Sequence, residues 1–187
     1  MGKSNIAVIG GGSWATAIVK MLLNNNEKVG WWMRNKESVE FIKQFKHNPH
    51  YLSSVEFEVN KLEVHHDLKS IIKNHDVLIM AVPAAFLEDA LKQITKEDLK
   101  NKIIFSAIKG IVPDGNLIIG DFFHQKFDVP FQNFGVISGP CHAEEVAMEK
   151  LSYLTIASQN ADNGLLLAQN LGCRYIKATV SDDIYGT

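Results

Sequence analysis

Short, continuous runs of apolar and often β-branched residues recur along the chain and alternate with longer segments that mix apolar and charged residues. Continuous apolar runs are typical of strands that are buried on both faces of a parallel sheet. Polar or glycine-rich turns separate these runs from the mixed segments. The pattern predicts strands at residues 5–9, 28–33, 64–66, 77–82, 103–108, 134–137, 152–158 and 173–178.

The mixed segments carry apolar residues at helical spacing, and some start with a capping residue, such as Asp67 before LKSIIKN. Strands that alternate with such helices form a sheet with helices on both faces. The predicted fold is therefore α/β, a doubly wound and mostly parallel sheet of the Rossmann type. The first predicted helix begins near Ser13. The others are predicted at residues 36–46, 68–74, 84–94, 116–123, 143–150 and 163–171.

The turn after the first strand contains three consecutive glycines, and Gly10, Gly12 and Ala15 fill the pattern G-x-G-x-x-G/A. The first glycine of this pattern permits a tight turn, the second has no side chain to obstruct a pyrophosphate, and the small third residue lets the helix approach the strand. A helix that begins near Ser13 directs backbone N–H groups and its positive dipole end toward the phosphates. The turn therefore predicts a dinucleotide ligand.

The composition limits the class of protein. The 187 residues are 46% hydrophobic and carry a net charge of −2, which argues against a general attraction to nucleic acid or to anionic membranes. No apolar run approaches the roughly 20 residues that a membrane helix needs. The N-terminal sequence MGKSN matches neither a signal peptide nor a myristoylation signal. We therefore expect a cytoplasmic protein.

Metal binding is not predicted. Seven histidines and two cysteines are present, and their spacing matches no metal-ligand motif. Cys141 and Cys173 also lack a secretory context, so both are expected to be free thiols.

Three strand ends carry residues that suit a ligand at the carboxyl edge of the sheet, where open α/β sheets bind ligands. Pro83 stops the strand 77–82. Lys109 follows the strand 103–108, and its ammonium group would attract a phosphate or a substrate. Gly139 lies in a turn before a predicted helix, which makes a second site for anions. A lysine that merely ends a strand is the alternative for Lys109.

The residue after the second strand bears on the choice between NAD(H) and NADP(H). NAD-preferring folds place an Asp or Glu there to bind the ribose 2′-hydroxyl, whereas this chain has Arg34 followed by Asn35. The charge and planar donor fork of an arginine suit a 2′-phosphate. Arg34 thus allows or even favours NADP(H), with a solvated surface arginine as the alternative.

Six motifs occur in order along the whole chain: GGGSWATA, WWMRN, HNPHYL, AVPA, IKGI and SGPCHAEEVA. Together they resemble the NAD(P)-dependent glycerol-3-phosphate dehydrogenases, and the chain is similar to their N-terminal cofactor-binding domain. The resemblance implies NAD(H) or NADP(H) as the cofactor. The expected cofactor-binding residues, from the glycine pattern, the strand ends and the resemblance together, are Gly10, Gly12, Ser13, Trp14, Arg34, Pro83, Lys109 and Ala143.

The resemblance places Lys109 where nicotinamide and substrate meet, which makes it the expected catalytic residue of this chain. Gly139 and Cys141 are expected beside Lys109 at the substrate. Two residues depart from the family pattern. Ala15 replaces a glycine, which the motif tolerates, and Cys141 replaces a Ser or Thr. A thiol is a weaker hydrogen-bond donor than a hydroxyl group, so the substrate contact of Cys141 is in question.

The tail SDDIYGT resembles the entry to the family's second, helical domain, whose first helix carries a lysine that acts as general acid and base. We therefore expect residues 1–180 to form the cofactor-binding domain and residues 181–187 to begin a second domain that this chain lacks. The chain is interpreted as the cofactor-binding half of a longer protein. Alone, it is expected to bind the cofactor and to be inactive.

The activity that the resemblance implies is hydride transfer between the nicotinamide and dihydroxyacetone phosphate, which forms sn-glycerol 3-phosphate for glycerophospholipid synthesis. The full-length protein is expected to be a homodimer. Two alternatives stay open: a reductase of another small hydroxy acid, of the ketopantoate or hydroxyisobutyrate type, and a nucleotide-sensing regulatory module. Reductases of the ketopantoate or hydroxyisobutyrate type do not combine the KG and SGP motifs in this form. A nucleotide-sensing module needs an element that passes the signal to a channel or a promoter, and no basic recognition helix is visible in the sequence, although fold alone does not exclude such a module.

Overall fold

Eight strands form one sheet in the computed structural model, which describes residues 5–187. Residues 1–4, on which the argument against a signal peptide or a myristoylation signal depends, lie outside the described part. The strands are Ile6–Ile9 (β1), Val29–Trp32 (β2), Leu62–His65 (β3), Val77–Met80 (β4), Ile103–Ser106 (β5), Phe134–Ser138 (β6), Ser152–Ser158 (β7) and Ile176–Ser181 (β8). They lie in the order β3-β2-β1-β4-β5-β6-β7-β8.

Helices connect the strands and cover both faces of the sheet. Two predicted helices, at residues 84–94 and 143–150, are shorter than expected, because residues 84–86 form a 3₁₀ turn and Glu149 adopts a left-handed φ of 58°. The helices are Ser13–Leu22 (α1), Lys36–Phe45 (α2), Leu68–Asn74 (α3), Leu87–Leu91 (α4), Ile119–Phe127 (α5), Ala143–Ala147 (α6) and Ala161–Leu171 (α7).

Two hydrophobic cores flank the sheet. One lies between the sheet and α1, α2, α6 and α7, and it contains Ile18 and Leu167. The other lies between the sheet and α3, α4 and α5, and it contains Ile72 and Phe123. Successive residues of β4 face the two cores in turn. Every side chain of this strand is therefore buried, which explains why its sequence is a continuous apolar run.

The first six strands run parallel; Ala7 of β1, for example, lies opposite Gly30 of β2 on one side and Leu78 of β4 on the other. The chain moves outward from β1 to β3 and then returns to β4 on the other side of β1. The strand order thus reverses between β1 and β4, which opens a crevice at their carboxyl ends. The predicted doubly wound, mostly parallel sheet is confirmed, with β7 antiparallel to β6 and β8 parallel to β7.

The helix α5 begins later than predicted. The sequence pattern predicted residues 116–123, whereas the helix spans Ile119–Phe127. Asn116 ends a short 3₁₀ turn and adopts a left-handed φ of 52°, which an α-helix does not accommodate. The prediction of a helix in this region is therefore correct, but its bounds were placed too early in the sequence.

The strand β8 is also displaced. It was predicted at residues 173–178 and lies at Ile176–Ser181. Cys173 and Ile176 exchange backbone N–H···O bonds of 3.1 and 3.2 Å, which form a tight turn before the strand begins. The predicted domain boundary after residue 180 falls at the end of this strand, and the second domain stays a prediction.

Two further observations concern membranes and metals. None of the helices within residues 5–187 has the length and apolar character needed to cross a lipid bilayer. The same residues contain no group of three or more His, Cys, Asp or Glu side chains that could hold a metal ion.

The histidine and cysteine side chains have other surroundings. His75 is buried, and its Nδ1 lies 2.8 Å from the carbonyl oxygen of Ile71. Cys141 and Cys173 are free thiols.

Candidate functional site

A cleft of about 860 Å³ opens at the carboxyl edge of the sheet, where β1, β4, β5 and β6 end. Segments that are far apart in the sequence meet there, as expected for the point at which the strand order reverses. Two predicted site residues, Gly10 and Arg34, do not line this cleft. The predicted site residues that line it are Gly12, Ser13, Trp14, Pro83, Lys109, Gly139, Cys141 and Ala143.

Gly10 lies where the glycine turn presses against the chain leaving β4. Its φ is 142°, and a Cβ added to it would lie 2.3 Å from the carbonyl oxygen of Ala81. Its N–H donates to the carbonyl oxygen of Trp32 over 3.0 Å, so the turn is also bonded to the end of β2. The absence of a side chain at Gly10 is therefore a requirement of the fold.

Gly12, by contrast, faces open space. A Cβ added there would meet no protein atom within 4 Å, so the fold itself does not require a glycine. The helix α1 begins at the next residue, and no side chain caps its first turn. Open space next to uncapped N–H groups fits a phosphate group that approaches the backbone closely. The turn thus suits the pyrophosphate of a dinucleotide.

The three tryptophans have different surroundings. Trp31 and Trp32 are buried in β2. Trp14 is partly buried against the core and also lines the cleft, directly after the glycine turn. It is therefore the tryptophan that a ligand in the cleft would contact.

Lys109 enters the cleft from the loop that follows β5. Among the described residues that line the cleft it is the one Lys or Arg, and Glu144 is the one Asp or Glu. A cationic group in a crevice with apolar walls attracts an anionic ligand and stabilises negative charge that develops on a reacting oxygen.

Cys141 lies close enough to Lys109 for the two groups to interact electrostatically. Burial raises the pKa of the Cys141 thiol above its ordinary value, and the positive charge of Lys109 offsets only part of that rise. The sulfur therefore carries its proton at neutral pH. In the cleft it presents a weak S–H donor and little nucleophilic character.

Arg34 follows β2 and lies outside the cleft, next to a small pocket of about 210 Å³. Its side chain is 71% exposed, and its Nη1 lies 3.7 Å from Oδ2 of Asp89. The guanidinium group also lies 6.0 Å from the ring centre of Phe86. Lys92 donates a hydrogen bond to Asp89 and, together with Arg34, lowers the pKa of that carboxyl group. Arg34 is thus accessible to a ligand and already has an acidic neighbour.

Two parts of this region belong to segments that the sequence singles out, HNPHYL and SDDIYGT, but their contacts were not predicted from it. The first is Asn48, which lies beneath the glycine turn and bonds to it. The second is the C-terminal tail, where Ile184, Tyr185 and Thr187 line the cleft and Asp183 Oδ1 accepts the N–H groups of the turn that follows it. Neither segment has a local pattern that shows which distant part of the chain it contacts.

The family model described as the NAD-dependent glycerol-3-phosphate dehydrogenase N-terminus matches residues 5–164. The chain belongs to this family. The match includes the glycine turn, Lys109 and the turn at Gly139, all of which meet in the cleft. The predicted family is confirmed.

Curated relatives agree with this assignment. Two proteins named glycerol-3-phosphate dehydrogenase (NAD(P)+), from Bifidobacterium longum (strain DJO10A) and Aster yellows witches'-broom phytoplasma (strain AYWB), are 31% and 33% identical to the chain over 186 and 183 residues. The alignments cover 100% and 97% of this chain, and 56% and 53% of the relatives. The chain therefore spans about half the length of the curated relatives that it matches.

Solved structures of the same family share the fold. The glycerol-3-phosphate dehydrogenases of Plasmodium falciparum and Coxiella burnetii match with TM-scores of 0.85 and 0.87 at 27% and 25% sequence identity. Each match covers 98% of this chain, and 54% and 55% of the solved chains. The predicted fold class is confirmed, and the roles of individual site residues stay predictions.

Proposed function

We propose that this chain is the cofactor-binding half of an NAD(P)-dependent glycerol-3-phosphate dehydrogenase, which interconverts dihydroxyacetone phosphate and sn-glycerol 3-phosphate. The family match over residues 5–164 supports the reaction class. The observation that carries the proposal is the cleft itself, where Gly12 faces open space and Lys109 lines the same crevice at the reversal of strand order.

The glycine turn and the start of α1 bind the pyrophosphate of NAD(H) or NADP(H), since their N–H groups face the cleft and no side chain obstructs the approach. Trp14, Pro83 and Ala143 line the neighbouring walls and contact the rest of the cofactor. When bound, the nicotinamide ring supplies or accepts the hydride. The chain positions this ring and limits the access of water to it.

Lys109 acts at the substrate end of the cleft. Its ammonium group attracts the phosphorylated substrate and stabilises negative charge on the carbonyl oxygen as the hydride is transferred. Gly139 and Cys141 border the same end. Since the Cys141 thiol is protonated, it contributes a weak hydrogen bond where the family pattern has a hydroxyl group. The proton itself comes from the lysine that we place in the second domain.

Arg34 contacts the adenosine ribose and favours NADP(H). A 2′-phosphate at this position would approach a guanidinium group that is accessible but is shared with Asp89. The arginine attracts the phosphate and the carboxylate repels it, so the preference for NADPH over NADH is moderate. NADPH binds at least as tightly as NADH.

The family resemblance supports the oligomeric state and the pathway, and the net charge and apolar pattern of the sequence support the compartment. We propose that the full-length protein is a cytoplasmic homodimer that contributes to glycerophospholipid synthesis. Its ligands are small molecules, and neither nucleic acid nor a membrane belongs to the proposed function.

Fluorescence titration of the purified chain with NADH and NADPH, with and without dihydroxyacetone phosphate, tests the proposal. We expect saturable binding of both cofactors at one site per chain, because the cofactor contacts come from residues within it. A reductase of related fold that acts on another hydroxy acid would bind the same cofactors, and dihydroxyacetone phosphate would not change that binding. A chain that binds neither cofactor would contradict the proposal.

A further inference from the structure

Three successive carbonyl oxygens of the glycine turn are held by side chains from outside the turn. Trp31 Nε1 donates to the Gly10 oxygen over 2.7 Å, and Asn48 Nδ2 donates to the Gly11 oxygen over 3.1 Å. Thr16 Oγ1 lies 2.8 Å from the Gly12 oxygen. Trp31, Asn48 and Thr16 are all fully buried, so these carbonyl groups point into the protein.

The direction of a carbonyl group fixes the direction of the next N–H group. A trans peptide unit is planar, and its C=O and N–H bonds point in opposite directions. Holding the oxygens of Gly11 and Gly12 toward the protein therefore turns the N–H groups of Gly12 and Ser13 toward the cleft. Within residues 5–187 neither of these two N–H groups has a protein acceptor. They are the donors that a pyrophosphate would use.

Asn48 is bonded to two of the three carbonyl groups, directly to that of Gly11 and through the Thr16 hydroxyl group to that of Gly12, whose oxygen also accepts the backbone N–H of Thr16 over 3.0 Å. Its Nδ2 also donates to Thr16 Oγ1 over 2.8 Å. A threonine hydroxyl has one hydrogen, and since its oxygen accepts from Asn48, that hydrogen is directed to the Gly12 oxygen. The orientation of the Thr16 hydroxyl is thus set by Asn48.

The Asn48 side chain has no freedom to reorient. Its Oδ1 accepts the backbone N–H groups of His50 and Tyr51 over 3.0 and 3.3 Å, while both Nδ2 hydrogens are used. A reversed amide would place its oxygen against the Gly11 carbonyl oxygen, so the assignment of Nδ2 is unambiguous. Rotation would leave buried polar groups unpaired, which is costly.

We propose that Asn48 is a positioning residue that aims the N–H groups of the glycine turn at the pyrophosphate and thereby sets the affinity for the cofactor. The inference rests on the proposed function. It also assigns a role to the irregular loop around Asn48, since this loop positions the Asn48 amide beneath the glycine turn, which lies 37 residues earlier in the sequence.

Two variants test the inference. In Asn48→Ala the Gly11 carbonyl group loses its side-chain donor and the Thr16 hydroxyl group loses the amide that orients it, and in Thr16→Val a side chain of the same shape loses the hydroxyl group. We expect each variant to bind NADH and NADPH about 10- to 100-fold more weakly, the range for a misdirected hydrogen bond to a charged group. The pyrophosphate is common to both cofactors, so the ratio of the two affinities should stay at its wild-type value. The double variant should lose less than the product of the two single losses.

Matched controls separate positioning from general stability. Thr16→Ser keeps the hydroxyl group and should bind within about threefold of wild type. Asn24→Ala removes hydrogen bonds at the opposite end of α1, where Asn24 Nδ2 donates to Lys20, Met21 and Tyr175. It should lower the melting temperature without changing either dissociation constant, measured well below that temperature.

The outcomes are distinct. If the wild-type chain binds neither cofactor, the proposed function fails. If the wild-type chain binds and Thr16→Val binds equally well, the positioning role fails while the proposed function stands. Should Asn48→Ala not fold, the pair Thr16→Val and Thr16→Ser still decides between the two results.

Discussion

Replacement of Gly12 by valine separates cofactor binding from folding. The backbone at Gly12 has φ −80° and ψ −178°, an extended conformation that valine adopts readily. A Cβ there meets no protein atom within 4 Å. We therefore expect the fold to be unaffected, because the gain of up to about 1 kcal/mol from the smaller conformational freedom of the unfolded chain is opposed by the poorer fit of valine at a helix N-cap. For a chain of this size the melting temperature of the unliganded protein would change by no more than about 4 °C.

The loss of binding should be large. The valine side chain would occupy the space through which a pyrophosphate reaches the N–H groups of Gly12 and Ser13. Two hydrogen bonds to a charged group contribute about 3–6 kcal/mol together, so the dissociation constant should rise by two to four orders of magnitude. Fluorescence titration with NADPH measures this rise directly, and differential scanning fluorimetry of the unliganded variant measures stability.

Gly11→Ala is the matched control in the same turn. Its Cβ would contact the flexible end of Met33 at 2.9 Å and does not face the cleft. We expect this variant to retain cofactor binding within a few-fold of wild type. Near-wild-type binding by Gly12→Val, or an equal loss in both variants, would refute the assignment of the glycine turn as the pyrophosphate site.

The remaining predictions concern specificity, the fold and catalysis. Arg34→Ala should weaken the binding of NADPH by about 1–3 kcal/mol and leave the binding of NADH nearly unchanged, because only NADPH carries the 2′-phosphate. An equal loss of affinity for both cofactors in the same titration would contradict this role. Asp89→Asn should raise the affinity for NADPH about two- to fivefold relative to that for NADH, since it removes the carboxylate beside Arg34. An unchanged ratio of the two affinities would show that Asp89 does not compete with the 2′-phosphate for Arg34. Gly10→Ala should destabilise the fold by at least about 2 kcal/mol in chemical denaturation, because its Cβ would strike the Ala81 carbonyl oxygen; wild-type stability would contradict this. The purified chain mixed with NADPH and dihydroxyacetone phosphate should show no turnover above background, whereas oxidation at roughly 1–10³ per second would refute the two-domain division.

The central strands could be predicted from the sequence because each is buried on both faces. Val77–Met80 is apolar at every position for this reason, and it lies where the pattern indicated. The strand β8 is partly exposed on both faces and alternates less clearly, so its position was displaced by three residues at each end. The antiparallel direction of Ser152–Ser158 could not be read from its composition, since buried strands of either direction have similar residues.

The cleft residues were predictable where a motif carries a physical reason. Gly12 belongs to a pattern that requires open backbone, and Lys109 follows a buried strand. The tertiary partners were not predictable. Asn48 contacts the glycine turn across 37 residues, and Asp89 of α4 contacts Arg34, which follows β2. Such contacts depend on how distant segments pack together, and a single sequence contains no local signal for them.

The central claim is that the cofactor binds in the cleft between the glycine turn and Lys109. The most direct test is a ¹H–¹⁵N correlation spectrum of the labelled chain, recorded during titration with NADPH. We predict that the backbone amides of Gly12, Ser13 and Trp14 shift most strongly and saturate together with those of Lys109 and Ala143, while the amides of α7 stay unchanged. Saturable shifts confined to another surface, or none at millimolar NADPH, would contradict the account.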